Sequence, residues 1–221
     1  DKGIIANAGA ATWCYGNTGK TGLVTTSNSI VGSKDNDEVA IKIIALSNGN
    51  YVVRSPKWDN GTIENAGAVT WSAGFNSEIG AVAAYNSLVG SSTDDQVGSQ
   101  ILPLSNGNYV VGSSSWDNGP ITNAGAVTWG NGSTSTHGVI SSSNSLVGSS
   151  TDDHMGDFGL RYVSEENYYY EYFTALSNGN YLIESYNWDN GAMVNDGALT
   201  LGNGSTGISG VLTLCNSVFG T

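Results

Sequence analysis

Leu46-Ser47-Asn48-Gly49-Asn50-Tyr51-Val52-Val53 returns as Leu104 to Val111 and, slightly altered, as Leu176 to Ile183. A second signature, Gly-Ala-x-Thr-Trp, stands at Gly9 to Trp13, Gly67 to Trp71 and Gly125 to Trp129, with a degraded copy at Gly197 to Leu201. Successive copies of this second signature lie 58, 58 and 72 residues apart. Self-similarity at a fixed spacing marks a chain built from one supersecondary unit used about four times. Residues kept in every copy are expected to maintain that unit, whereas a catalytic site is normally single.

The composition says what the unit is made of. Gly is abundant at 31 residues, Pro occurs three times, and charged residues are only 12% of the 221. Good helix formers are scarce. Val, Ile, Thr, Tyr and Trp supply the apolar mass, which favours strands, so an all-β chain is expected. Nineteen acids against seven bases give a formal charge of −12. Phosphate contacts need clustered Lys and Arg, so nucleic-acid binding is excluded, as is docking on an anionic membrane. No run approaches the roughly 18 apolar residues of a membrane span. An acidic surface suits cations, or solubility outside the cell.

One period, from Gly67 to about Gly119, reads as four short antiparallel strands: a around Leu104, b at Tyr109 to Gly112, c at Gly67 to Trp71 and d at Ala81 to Val89. Asn106-Gly107 is a hairpin signal, read as a type I′ turn, and Trp116-Asp117-Asn118-Gly119 is a second turn cluster. Four-stranded units of this length are what propeller blades are made of. The expected fold is therefore a β-propeller of about four four-stranded blades, one domain over 1–221 with repeats near 1–58, 59–116, 117–188 and 189–221. The c–d pair occurs four times and the a–b pair three times, so the first blade is expected to be incomplete, with an edge open to pairing. Asp1-Lys2-Gly3 aligns with Asp59-Asn60-Gly61; the sequence is expected to be a processed or trimmed piece of something longer.

The repeat resembles the FG-GAP repeats of integrin-like β-propellers, as found in tandem-repeat secreted or surface proteins of bacteria. The likeness is carried by Leu88-Val-Gly-Ser-Ser-Thr-Asp-Asp-Gln-Val-Gly98, Asn108-Tyr-Val-Val-Gly-Ser113, Trp116-Asp-Asn-Gly119 and Ala124-Gly-Ala-Val-Thr128. It implies an extracellular module for adhesion or other protein–protein contact. Such blades commonly carry an Asp-x-Asn-x-Asp-Gly calcium loop between their first two strands. Here Ser105-Asn106-Gly107-Asn108 stands in that place without a carboxylate. The chain departs from the family there, so calcium is not expected in that loop. No cofactor is expected, Ca²⁺ at other carboxylates being the alternative.

Four groups of residues are candidates for function. Asp94, Asp95, Asp152 and Asp153 offer oxygen to Ca²⁺, or else cap turns through the backbone; no EF-hand spacing accompanies them, which favours capping. Trp58-Asp59-Asn60, Trp116-Asp117-Asn118 and Trp188-Asp189-Asn190 have the chemistry of a sugar site, an aromatic face beside polar groups, and repetition would make such a lectin multivalent. The competing reading places the same Trp at the seams between blades. The third repeat carries a 14-residue insertion rich in aromatics, with Phe158, Tyr162, Tyr168, Tyr169, Tyr170 and Tyr172, a composition typical of partner-binding surfaces, or else an extended hairpin that covers the end of the barrel or pads a neighbour. Cys14 and Cys215, one near each end, would bridge a closed ring in an oxidising compartment, or are two unrelated thiols.

Enzyme motifs do not appear: there is no nucleophile elbow, paired Cys-x-x-Cys or His-Glu-x-x-His. Adjacent Glu165 and Glu166 would face opposite ways on a strand. The expected function is a non-catalytic, extracellular structural or adhesive module contacting protein or glycan at a cell surface. The alternatives are a multivalent lectin and a self-assembling fibre or surface-layer subunit that pairs through its incomplete blade.

Overall fold

The computed structural model describes residues 3–75, 78–157 and 173–219. Within them the chain is all β. The first repeat contributes β1 (Ala10–Ala11) and β2 (Ile30–Val31). The second contributes β3 (Lys42–Ala45), β4 (Tyr51–Ser55), β5 (Ala68–Ser72), β6 (Gly80–Ala81) and β7 (Ser87–Val89). The third repeats this pattern as β8 (Gln100–Pro103), β9 (Tyr109–Ser113), β10 (Ala126–Gly130), β11 (Gly138–Val139) and β12 (Ser145–Val147). The fourth supplies β13 (Phe173–Ala175), β14 (Tyr181–Ser185), β15 (Ala198–Gly202), β16 (Gly210–Val211) and β17 (Val218–Phe219).

These strands form four sheets of three to five strands, one per repeat: β1-β2-β6, β3-β4-β5-β7-β11, β8-β9-β10-β12-β16 and β13-β14-β15-β17. Each complete sheet is an antiparallel meander in the order a, b, c, d. Strand alternation gives every sheet two apolar faces, and consecutive sheets bury them against each other. Ala11 and Ile30 from the first sheet meet Val53 and Val89 from the second. Val52, Val69 and Leu88 meet Tyr109, Val111 and Val147 at the next junction. Val110, Val127 and Leu146 then meet Phe173, Tyr181 and Ile183. The core is thus divided into three inter-sheet layers, so each repeat depends on its immediate neighbours.

The stacking is propeller-like, and the first sheet is the incomplete one, as the strand count predicts. The ring, however, is not closed by strand pairing: among the described residues no strand of the first sheet pairs with one of the last. Cys14 and Cys215 lie in the regions of those two sheets, and both are free and exposed, so the bridge expected of a closed ring is not made.

Two local expectations are corrected. Strand d is not continuous over Ala81 to Val89. The Asn86 side chain accepts from Ala83 N at 2.9 Å and donates to Ala81 O at 3.1 Å, folding the middle of the run into a turn. The two-residue piece before the turn, β6, pairs parallel with β2 of the preceding sheet, and β11 and β16 do the same one and two repeats later. Each repeat therefore lends a strand to the one before it. The Asn-Gly hairpins also differ from type I′. Gly49 has φ 85° while Asn48 is absent from the positive-φ residues; Gly49 N donates to Leu46 O, and Leu46 N to Asn50 O. This is a three-residue loop, a type I turn followed by a left-handed Gly. Asn48 serves instead through its side chain, which accepts from Asn50 N.

Candidate functional site

The chemistry repeated in this chain converges on the seams between sheets. Trp13 follows β1, and Trp71 and Trp129 are the penultimate residues of β5 and β10; each is half-buried. The indole of each donates across the seam to a glycine carbonyl of the next repeat: Trp13 to Gly74 at 2.8 Å, Trp71 to Gly132 at 2.9 Å and Trp129 to Gly204 at 3.0 Å. The hairpin loop of the same repeat aims at the same atom. Asn48 and Asn50 Nδ2 each lie 2.7 Å from Gly132 O, and Asn106 and Asn108 Nδ2 each 2.8 Å from Gly204 O. Gly132 O and Gly204 O thus each accept three N–H donors. Asn50, Asn108 and Asn180 also accept, through Oδ1, from Gly74, Gly132 and Gly204 N within their own sheets. One amide therefore ties two strands of its own sheet and, for Asn50 and Asn108, the neighbouring sheet as well.

Trp58, Trp116 and Trp188 lie on the other side of each seam. All three are only 3% exposed and pack in the junction with the preceding sheet, so both faces of each ring are covered by protein. A pyranose has no ring face to stack on at these positions. Their polar neighbours are likewise engaged in the loop. Asp59, Asp117 and Asp189 accept from Asn65, Asn123 and Asn195 N at 2.8–2.9 Å. Asn60 and Asn118 donate to Gly90 O and Gly148 O, while Asn190 turns to Asp196 Oδ2. All six tryptophans thus stand in pairs, two at each of three seams.

The aspartates after strand d cap turns. Asp95 Oδ2 accepts from Ser91 N and Ser92 N, and its Oδ1 from Asp117 N at 3.0 Å. Asp153 repeats this with Ser149, Ser150 and Asp189, and Asp37 with Ser33, Lys34 and Asp59. Each buried carboxylate therefore pins the next Trp-Asp-Asn-Gly loop to its own turn. Burial raises the Asp95 and Asp153 carboxyls above their usual range; the backbone donors pull the other way, and the nearby Asp117 and Asp189 charges add to the rise. Asp94 and Asp152 are exposed and accept from Asn65 and Asn123 Nδ2. Among the described residues no three Asp, Glu, His or Cys side chains gather as a metal site would require.

Phe158, Tyr162, Tyr168, Tyr169, Tyr170 and Tyr172 lie outside the described residues. Phe173, which closes the inserted aromatic run, is a buried residue of β13 and belongs to the core.

Sequence reading passed over two sets of residues. Asn28, Asn86, Asn144 and Asn216 make the strand-d turn in every repeat; the signal was an Asn-Ser pair in constant register. Thr12, Thr70, Thr128 and Thr200 share hydroxyl hydrogen bonds with the Ser of that pair. The second set is Asn50, Asn108 and Asn180, which read as turn residues and act as clamps.

A family model described as a repeat of unknown function (DUF5650) matches residues 1–41, 45–99, 103–157 and 175–221. The two inner spans are offset by the same 58 residues that separate the sequence signatures. No curated protein matches the chain.

Proposed function

We propose that this chain, which belongs to the DUF5650 family of tandem repeats, is a non-catalytic structural or adhesive module working outside the cell through protein–protein contact. The observation that carries this reading is the destination of the repeated polar groups. Trp71 and Asn50, and Trp129 and Asn108, donate to protein across repeat seams, and Asp95 and Asp153 each accept a backbone N–H from the next repeat's loop. A chain whose recurring side chains join repeats is suited to displaying surface at fixed spacing. The acidic charge of −12 suits solubility outside the cell, and the likeness to FG-GAP blades agrees with contact to other proteins.

Beads coated with the chain test the reading. Adhesion to cells should survive free sugars and glycosidases and should be abolished by mild protease treatment of the cells. Release by a simple sugar would favour the lectin instead. Absence of adhesion to any cell or matrix protein would sink the adhesive role.

A further inference from the structure

Residues repeated in every copy join the sheets, so chemistry that is not scaffold falls where one repeat departs from the others. Lys42 and Arg54 are such a departure. They are Cα partners on β3 and β4, and directly opposite residues of an antiparallel pair share a face. In the next repeat Gln100 and Gly112 are paired in their place. Two like charges directly opposite repel each other, and no carboxylate relieves them. Lys34 lies 3.5 Å from Asp59 and Lys57 3.0 Å from Glu38, whereas neither Lys42 nor Arg54 has an ion pair among the described residues. The pair faces the third sheet, inside the stack: Arg54 Nε donates to Gly98 O, just before β8. That bond orients the guanidinium. Both Nη groups are left without a protein partner among the described residues, yet neither is sealed from solvent. Arg54 is half-buried and Lys42 exposed. Burial lowers the Arg54 pKa and is the sole cause of its shift, so the position disfavours a lone cation and favours one beside an anion.

We propose that Lys42 and Arg54 form a docking point for a carboxylate of an acidic peptide segment on a protein partner. The two Nη groups of Arg54 can grip both oxygens of a carboxylate, and Lys42 Nζ adds a point charge from the facing strand. Such an anion removes the repulsion between the two cations and satisfies the open Nη donors. A single carboxylate matches better than a polyanion. Two cations stand here in a protein of net charge −12, whose field repels densely charged chains. The site is also single on a repeated scaffold, so it fixes where on the stack the partner sits. This proposal rests on the reading of the chain as a protein-binding module and names the partner's chemistry.

The test is NMR titration of the whole 221-residue chain, read at the assigned Arg54 Nε–H signal. The probe is a Gly-Glu-Glu-Gly peptide blocked at both ends, with blocked Gly-Gln-Gln-Gly as its uncharged counterpart. The acidic peptide should shift the signal saturably and the uncharged one should not. Lys42→Gln should weaken binding of the acidic peptide about tenfold, the worth of one charge-assisted hydrogen bond. Lys42 is exposed and unpaired, so this variant keeps the fold. Added salt should weaken binding as well. No shift at millimolar acidic peptide, or an equal shift with the uncharged one, would overturn the proposal. So would tighter binding of a sulfated disaccharide, which would make a glycan the partner. Coated beads separate this site from the broader reading. If the beads adhere through protein while the peptide does not bind, the docking point alone fails. If the peptide binds while the beads adhere to nothing, the carboxylate site stands and the adhesive reading falls.

Discussion

The indole nitrogen of Trp71 donates to the carbonyl oxygen of Gly132, 2.9 Å away and 61 residues further along the chain. The amide nitrogen of the same glycine is held by Asn108 Oδ1 at 2.9 Å. Gly132 is thus held through both of the peptide groups that flank it, one by the preceding repeat and one by its own. Its lack of a side chain is a matter of space, since a Cβ there would overlap the Gly107 carbonyl oxygen of the hairpin loop.

Gly132→Ala should therefore destabilise the fold by about 3 kcal/mol, the upper range for overpacking a filled site. Gly119→Ala is the control. Its φ is +62° with nothing within 4 Å of the added atom, so the expected cost is about 1 kcal/mol for backbone strain alone. Urea unfolding of the two variants checks the ranking. Equal costs would mean that the seam is looser than described.

Asn106 and Asn178 occupy the same place in successive repeats, and each accepts from the amide two residues on, at 3.1 Å. They differ in one bond. Asn106 Nδ2 reaches Gly204 O at 2.8 Å, while the Asn178 amide nitrogen has no acceptor among the described residues. Asn106→Ala should cost about 1 kcal/mol more than Asn178→Ala, the ordinary net worth of one hydrogen bond. Denaturation midpoints of the pair measure the cross-seam bond with the turn contribution cancelled.

The division between what was legible in the sequence and what was not follows from range. The period, the all-β class and the incomplete first sheet come from local patterns compared with themselves, so Gly9, Gly67, Gly125 and Gly197 sufficed. Strand d was misread because Ala81 to Val89 alternates well enough for a strand, and alternation cannot show that Asn86 bonds back to Ala81 and Ala83. The two readings of Trp58 could not be separated either. A sugar site and a seam both want an indole beside Asp and Asn, and only burial distinguishes them. The bond from Trp71 to Gly132 joins residues in different repeats, and no property of either residue alone points to the other.

Tyr109 and Tyr181 make the alkaline limb of stability predictable. Each ring fills the space over a glycine in the adjacent strand, Gly130 and Gly202 respectively. Burial pushes both phenols up, Tyr181 to about 12 and Tyr109 further. Below about pH 10, the ordinary tyrosine value, folded and unfolded chains both keep these protons and the stabilisation is fully present. Above it the unfolded chain loses them first, so stability falls as pH rises towards the folded values. Absorbance titration at 295 nm should show phenols that ionise only as the fold is lost. A single transition near pH 10 with the fold intact would contradict the burial of both rings.

Asp153→Asn tests whether the buried aspartates hold turns or ions. The carboxylate accepts three backbone N–H bonds, from Ser149, Ser150 and Asp189. An amide places an NH₂ against at least one of those donors, at an expected cost of about 2 kcal/mol. EDTA should leave the melting temperature of the unaltered chain unchanged. A fall in that temperature on chelation would return Asp152 and Asp153 to the metal reading.

The claim on which the rest depends is that consecutive repeats are joined by an indole and its partner amides converging on one glycine carbonyl. Trp71 and Trp129 report on it directly, because their rings are half-buried while their N–H groups are bonded. The measurement is hydrogen exchange of the assigned indole N–H signals by NMR in D₂O. The account predicts that the Trp71 and Trp129 signals persist long after exposed N–H groups have exchanged, and that Asn50→Ala and Asn108→Ala each shift the signal at their own seam. Exchange of both indoles at the rate of a free tryptophan would contradict it.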